Sequence, residues 1–270
     1  MPKVEKTLGS MAALDDLALN ETTLRSLDPR SKLITSLVFI VAVTSFGKYD
    51  LLSLLPLVIY PVSLIALGNI PAWEITKKIL YVSPFAVFIG IFNPVFDREI
   101  IVQFGSFAIP GGWISFTVIM VKFALTVSVA LILVATSGFD SVCLALAKLK
   151  VPQIFVVQLM FIYRYIFVMV DEASRMVRAH KLRSFRRSSI DFRIFVSMIG
   201  QLLLRTLDRA QRIHAAMISR GFTGEIRLTR ELKAGLIDWI FVLGWSVFFI
   251  LVRIYNIPEL LGLLVMGGLT

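Results

Sequence analysis

The 270 residues are 57% hydrophobic and their mean hydropathy is +0.82, above what a soluble domain of this size carries, so a membrane protein is the first bound. The net charge is +10, and the stretch from Asp171 to Lys233 holds fourteen Lys/Arg against six Asp/Glu, so eight of those ten charges lie in one block. Such a block reads as a cytoplasmic region under the positive-inside rule, with a nucleic-acid patch as the rival. Cys143 is the one cysteine, which excludes an intrachain disulfide, and the two histidines, His180 and His214, both lie in the basic block. So small a supply of His and Cys offers no evident zinc, cluster or haem site.

In chain order, the first thirty residues lack an uninterrupted apolar core, so no secretory signal peptide is expected. Residues 1–31 read as a cytoplasmic N-terminal segment, and the Asn20-Glu21-Thr22 sequon within it as chance. Asp28-Pro29-Arg30 is a helix start, with Asp as N-cap and Pro at the first helical position. The first apolar run covers Leu33 to Phe46. A turn at Gly47 to Asp50 leads to a second, Leu51 to Gly68, which Pro56 and Pro61 are expected to kink. The following loop carries Lys77 and Lys78 and is expected inside. A third span is expected from about Ile79 to Phe96, closed on the outside by Asp97-Arg98-Glu99.

Residues 100–112 are too short and too rich in Gly to span, and read as an outside loop or small hairpin. Trp113 to Thr136 is the fourth span, with Trp113 suited to the interface and Lys122 expected to snorkel or to find a structural partner. Gly138 to Ser141 opens a short helix that stops before Pro152. The fifth span starts at Gly235 and is followed by Arg253 and a weaker apolar tail. A crossing helix needs roughly twenty apolar residues, so the expectation is an all-α integral membrane protein with about five transmembrane helices. Four of them fall in 32–136, a cytoplasmic module of long crossing helices in 137–234, and the last span with its tail in 235–270.

Two helices dominate that module. The first, 152–184, should be about 50 Å long. Phe155, Leu159, Ile162, Ile166, Val170, Ala173, Val177 and His180 keep helical spacing along one face, and Arg164 interrupts the apolar half. Asp171 and Arg175 stand in the favourable i, i+4 order for an ion pair. The second, Ile190 to Arg220, has an apolar stripe of Leu203, Leu207, Ala210, Ile213 and Met217. Arg205, Arg209 and Arg212 share another face with Asp208. Gly221 is expected to end the helix in the left-handed conformation, with Phe222 making the apolar contact that accompanies such a cap. The helices close on matching tetrapeptides, Leu182-Arg183-Ser184-Phe185 and Ser219-Arg220-Gly221-Phe222. Arg175, Arg178, Arg186, Arg187, Arg193 and Arg227 read as ordinary inner-leaflet charge. Arg183 and Arg220 are set apart because each sits at a helix end, where a guanidinium can make a bidentate pair with a partner carboxylate.

On these residues the chain resembles the transmembrane coupling component of energy-coupling factor (ECF) transporters, specifically the cobalt/nickel branch, CbiQ. The segments that carry the resemblance are LDPRSKL, FNPVFDRE, IPGGWISF, the run from Val151 to Phe185, and RTLDRAQRIHAAMISRGFTGE. The resemblance implies two Ala-Arg-Gly-type motifs that close long coupling helices and dock into two ATP-binding cassette ATPase subunits. Here they read Leu182-Arg183-Ser184 and Ser219-Arg220-Gly221, the first departing from the family form at both flanks. It assigns ATPase coupling to Arg183, Ser184, Ser219, Arg220 and Gly221, with Asp171, Glu172, Arg175 and Arg209 supporting the helices. It further implies that ATP and Mg are bound by the ATPase subunits and the cobalt or nickel ion by a separate small integral-membrane subunit. This chain would then be a non-catalytic, multi-pass subunit of a bacterial or archaeal cell membrane, in contact with the lipid bilayer and with no nucleic acid.

Three other readings compete. A conventional importer permease would bind its own substrate, and Asp171-Glu172-Ala173 faintly matches the coupling loop of such proteins, without a well-placed downstream Gly. An intramembrane enzyme would draw on Asp171, Glu172 and His180, but neither an HExxH cluster nor a nucleophile with its base is visible. Nucleic-acid binding lacks stacking aromatics among the arginines.

Overall fold

Asp28 acts at the head of the first helix as its position predicts: Oδ1 accepts the Arg30 N–H at 2.9 Å, and Pro29 fills the first turn. The computed structural model describes residues 24, 27–96, 100–104, 107–184, 191–222 and 235–255. The expectations for the N-terminal segment with its sequon, for Asp97-Arg98-Glu99, Phe185, Arg186, Arg187 and Arg227, and for the tail after Tyr255 lie outside the described residues. The helices are α1 (Pro29–Thr44), α2 (Leu51–Leu54), α3 (Ile59–Gly68), α4 (Ala72–Gly90), α5 (Phe92–Phe96), α6 (Gly111–Ser137), α7 (Phe139–Lys148), α8 (Gln153–Arg183), α9 (Phe192–Ser219) and α10 (Leu236–Ile254). Strands β1 (Ile100–Phe104) and β2 (Phe107–Pro110) pair antiparallel. The protein is thus an all-α membrane protein apart from this one hairpin, at the place where the composition allows it.

The described helices fall into two compact units that divide between Val142 and Cys143, with α10 belonging to the first. In the first unit α6 is the hub, packed by α1, α3, α4 and α5, while α10 packs on α1. Its core is aromatic. Tyr60 lies 4.9 Å from Phe39 and 5.1 Å from Phe249, ring centre to ring centre, and all three are essentially fully buried. Offset and edge-on ring pairs of this kind add about 0.5–1.5 kcal/mol beyond the area they bury.

Polar contacts pin both ends of this bundle. At one end Asp238 in the first turn of α10 accepts the Asp28 N–H through Oδ1 and the Gly235 N–H through Oδ2, each at 2.7 Å. Both carboxylate residues are buried there. On the same end the Lys32 ammonium, also buried, donates to the Thr136 carbonyl at 3.3 Å. At the far end of α1, Lys122 donates to the Phe46 carbonyl, while Arg253 donates to Ser45 Oγ at 3.0 Å and to the Ser45 carbonyl at 3.2 Å. Cations thus gather where the helix dipole favours them. These contacts make α1 and α10 parallel and α6 antiparallel to both. Lys122 has the structural partner that its depth in an apolar helix requires.

Five described stretches are long and apolar enough to cross a membrane: Leu51–Gly68, Ala72–Pro94, Gly111–Ser137, Gln153–Arg183 and Leu236–Ile254. The number matches expectation through an exchange. The run Leu33–Phe46 forms α1, whose 16 residues rise only about 24 Å, and α8 takes its place. The third span starts at Ala72, so Lys77 and Lys78 lie in the first turns of a helix and not in a loop. Glu74 and Trp73 explain why charge is tolerated there: Lys77 lies 3.4 Å from the Glu74 carboxylate and stacks over the Trp73 ring at 4.9 Å. Pro56 interrupts the second span as a 3-10 turn, Leu55–Val58, between α2 and α3, because its ring excludes an α-helical hydrogen bond.

Candidate functional site

The two Arg-bearing helix ends are built differently. Helix α9 closes through a complete left-handed cap. Gly221 has φ +80°, its N–H donates to the Ile218 carbonyl at 2.9 Å, and the Phe222 N–H donates to the Met217 carbonyl at 3.0 Å. These are the paired 5→2 and 6→1 bonds that satisfy the last free carbonyls of a helix. A Cβ at Gly221 would meet nothing within 4 Å, so glycine is required by the backbone angle and not by space. Met217 and Phe222 both line the groove between α8 and α9. Ser219 Oγ folds back onto the Ala215 carbonyl at 2.9 Å. Arg220 is left exposed on the capping residue.

Among the described residues, which run to Ser184, helix α8 shows no left-handed residue at its end. Ser184 leaves in an extended conformation, φ −96° and ψ 90°. Its N–H and its Oγ both donate to the His180 carbonyl, at 3.0 and 2.9 Å. The serine that replaces glycine therefore ends the helix by straightening the chain while its hydroxyl occupies a carbonyl of the last turn. Arg183 is the final helical residue and is exposed, as is Leu182.

Between these ends the Glu172 carboxylate ties the helices together. Arg175 pairs with Asp171 at 2.9 Å, the expected i, i+4 bridge, and also with Glu172 at 3.0 Å. Glu172 then reaches across to α9, where Arg205 Nη1 donates to its Oε1 at 2.6 Å. Residue spacing alone does not disclose this cross-helix bridge, because its partners are 33 residues apart. The one signal is that a long, otherwise apolar helix carries two adjacent acids opposite an arginine-rich neighbour.

From the Glu172–Arg205 bridge the helices diverge. Toward Ile154 and Phe222 they enclose an apolar groove of about 870 Å³, lined by Phe155, Phe161, Ile162, Met169, Ile213 and Met217 among others, with Arg209 at its edge. In the other direction they form a polar cleft of about 700 Å³ that contains Arg175, His180, Arg183, Arg193 and Arg205. Of the expected stripe on α8, Val177 is buried and Phe155, Leu159, Ile162 and Ile166 stay exposed. Phe155 and Ile162 line the groove between α8 and α9.

The stripe expected on α9 is displaced. Half-buried residues recur at Ile194, Met198, Leu202, Thr206, Arg209, Ile213 and Met217, which is the face turned to α8. Only Ile213 and Met217 belong to the expected set. Leu203 and Leu207 are 57% and 52% exposed. Polar Thr206 and Arg209 within the packed face, and the Arg205–Glu172 bridge beside it, turn the helix away from its most apolar side. Asp171, Glu172, Arg175 and Arg209 are thus brought into one region, whereas Arg183 and Arg220 sit on opposite ends of an antiparallel pair.

A family model described as cobalt transport protein, CbiQ, matches residues 20–231. A Bacillus subtilis protein named energy-coupling factor transporter transmembrane protein EcfT is 25% identical over 222 residues, 77% of this chain and 83% of its own length. The protein of the same name from Thermanaerovibrio acidaminovorans is 25% identical over 82% of this chain and 87% of its own. Cobalt transport protein CbiQ of Rhodobacter capsulatus is 31% identical over 97 residues, 34% of this chain and 39% of its own. A match across most of the chain, joined to five helices able to cross a bilayer, makes this a multi-pass membrane transport component that belongs to the CbiQ family.

Proposed function

We propose that this chain is the transmembrane coupling subunit of an ECF-type importer for cobalt or nickel ions. It transmits the motion of two ATP-binding cassette ATPase subunits to a separate small integral-membrane subunit that holds the ion. The names of the relatives from B. subtilis and R. capsulatus support the transporter class and the cargo. The observation that carries the coupling role is the end of α9. A guanidinium on a helix terminus rigidified by a complete cap is placed for a bidentate, charge-assisted pair with a partner carboxylate.

The two helices suit force transmission. Helix α8 rises about 46 Å, its first half apolar and its second half carrying Asp171, Glu172, Arg175, Arg178, Lys181 and Arg183. The charged half suits a cytoplasmic face. The Glu172–Arg205 bridge ties the pair partway along both helices, so displacement of Arg183 or Arg220 alters the opening of the groove. ATP and Mg belong to the ATPase partners in this reading, and the metal ion is the cargo held by the third subunit.

Coexpression with the ATPase and substrate subunits tests this. Arg183→Glu and Arg220→Glu together are expected to abolish copurification of the ATPase and uptake of cobalt. Normal uptake with normal ATP turnover in that double variant contradicts the reading. Uptake with cobalt and nickel in competition separates the two ions.

A further inference from the structure

Both crossings of the chain between the bundle and the second unit are fastened to one turn of α1. The chain passes out of the bundle after α6, between Val142 and Cys143, and is back in it at Gly235, where α10 starts. On the outgoing side the Lys32 ammonium donates to the carbonyl of Thr136, the next-to-last residue of α6. On the returning side Asp238 accepts the Gly235 N–H and the Asp28 N–H. Asp28 and Lys32 stand about one turn apart, and both are buried, as is Asp238. Burying an ammonium and two carboxylates is costly even with polar partners, and an apolar side chain would fill the Lys32 position without that cost.

The chain turns just beyond the outgoing fastening. Gly138 has φ 72° and ψ 152°, a region that only glycine enters without strain. Its N–H still donates to the Val134 carbonyl at 2.8 Å, so α6 is hydrogen-bonded up to the residue at which direction changes. At the far end of α1, Lys122 of α6 holds the Phe46 carbonyl and Arg253 of α10 holds Ser45. Helices α6 and α10 are each fixed to α1 at two points about 20 Å apart along their own length. Neither can slide along α1 without breaking a polar contact.

We propose that Lys32 and Asp238 are positioning residues for energy coupling. By fixing α6 and α10 to the first turn of α1 they make Gly138 and Gly235 the pivots for movement of the second unit. ATPase motion then reaches the substrate subunit and is not absorbed by displacement of the bundle helices. This role rests on the coupling function proposed above.

The full complex of this chain with its ATPase and substrate subunits, reconstituted in proteoliposomes, gives the ions imported per ATP hydrolysed. Lys32→Met and Asp238→Asn are expected to copurify with the ATPase subunits and to hydrolyse ATP as wild type does. Cobalt imported per ATP is expected to fall about fivefold or more in each, the factor that loss of one ordinary hydrogen bond gives. Phe249→Leu, about three turns further along α10, weakens the same buried bundle and is expected to leave the ratio unchanged. An unchanged ratio in either clasp variant overturns the proposal and leaves the coupling function standing. A fall as large in Phe249→Leu, or loss of the assembled complex in both clasp variants, also overturns it and reduces the turn to a folding element. A wild-type complex that imports neither cobalt nor nickel on ATP hydrolysis contradicts the coupling function itself, and this role with it.

Discussion

In the first unit Phe39, Tyr60 and Phe249 are 0%, 1% and 1% exposed, and polar contacts lock the helices at both ends. Helix α9 in the second unit has no buried residue, although Phe195, Val196, Ile199, Leu203 and Leu207 give it as apolar a face as any core helix. The difference lies in what the side chains meet, not in composition. Ring-on-ring packing and buried hydrogen bonds give the bundle its stability from within. The Glu172–Arg205 bridge across the helix pair is exposed, and an exposed pair contributes about 1 kcal/mol or less. A region with so little internal restraint is suited to take its geometry from whatever binds it.

If that contrast holds, breaking the buried clasp costs more than any single change on the helix pair. Asp238→Ala strands the buried Asp28 N–H, while the exposed Gly235 N–H can turn to solvent. The expected loss is about 1–3 kcal/mol, the cost of one buried unsatisfied donor. Thermal unfolding in detergent checks this, and an unchanged midpoint would remove the clasp from the account. Next comes the cap of α9. Gly221→Val forces a β-branched residue to φ +80° and is expected to cost about 1–2 kcal/mol, with faster amide exchange confined to Met217 through Phe222. Gly221→Asn, which tolerates the left-handed region, should cost clearly less.

Breaking the bridge sharpens the comparison from the other side. Glu172→Gln with Arg205→Gln should show a coupling energy of about 1 kcal/mol or less in a double-mutant cycle. The same change should widen the distribution of distances between spin labels at positions 162 and 213. An unaltered distribution would mean that the pair is held by something other than this bridge. The smallest effect is expected at Leu207→Lys, within about 0.5 kcal/mol of wild-type stability because the side chain is half exposed. The same substitution in the bundle core, at Leu57, should prevent folding.

Local structure is legible in the sequence where the cause is local. Pro29 after Asp28 starts a helix by its own chemistry, Gly221 ends one by its own backbone freedom, and Asp171 with Arg175 needs only one turn of spacing. The class of protein follows from composition, and the family resemblance points to the two arginines. The spacing does not disclose the Asp28–Asp238 clasp, across 210 residues, or the Glu172–Arg205 bridge, because neither pairing follows from periodicity. The packed face of α9 is hidden for a different reason. Hydrophobicity marks Leu203 and Leu207, while the helix turns Thr206 and Arg209 to its half-buried face. Counting spans by apolar length likewise passes over α8, whose crossing length and charged half coexist in one helix.

The central claim is that Arg183 and Arg220 contact ATPase subunits, and site-specific photocrosslinking tests it most directly. With a photoreactive residue in place of Arg220, and separately of Arg183, illumination of the assembled transporter in membranes should join each position to an ATPase subunit. Arg220 should give the sharper product, because its helix end is capped. Crosslinks from both positions to lipid alone, with the ATPase subunits present and bound, would contradict the account.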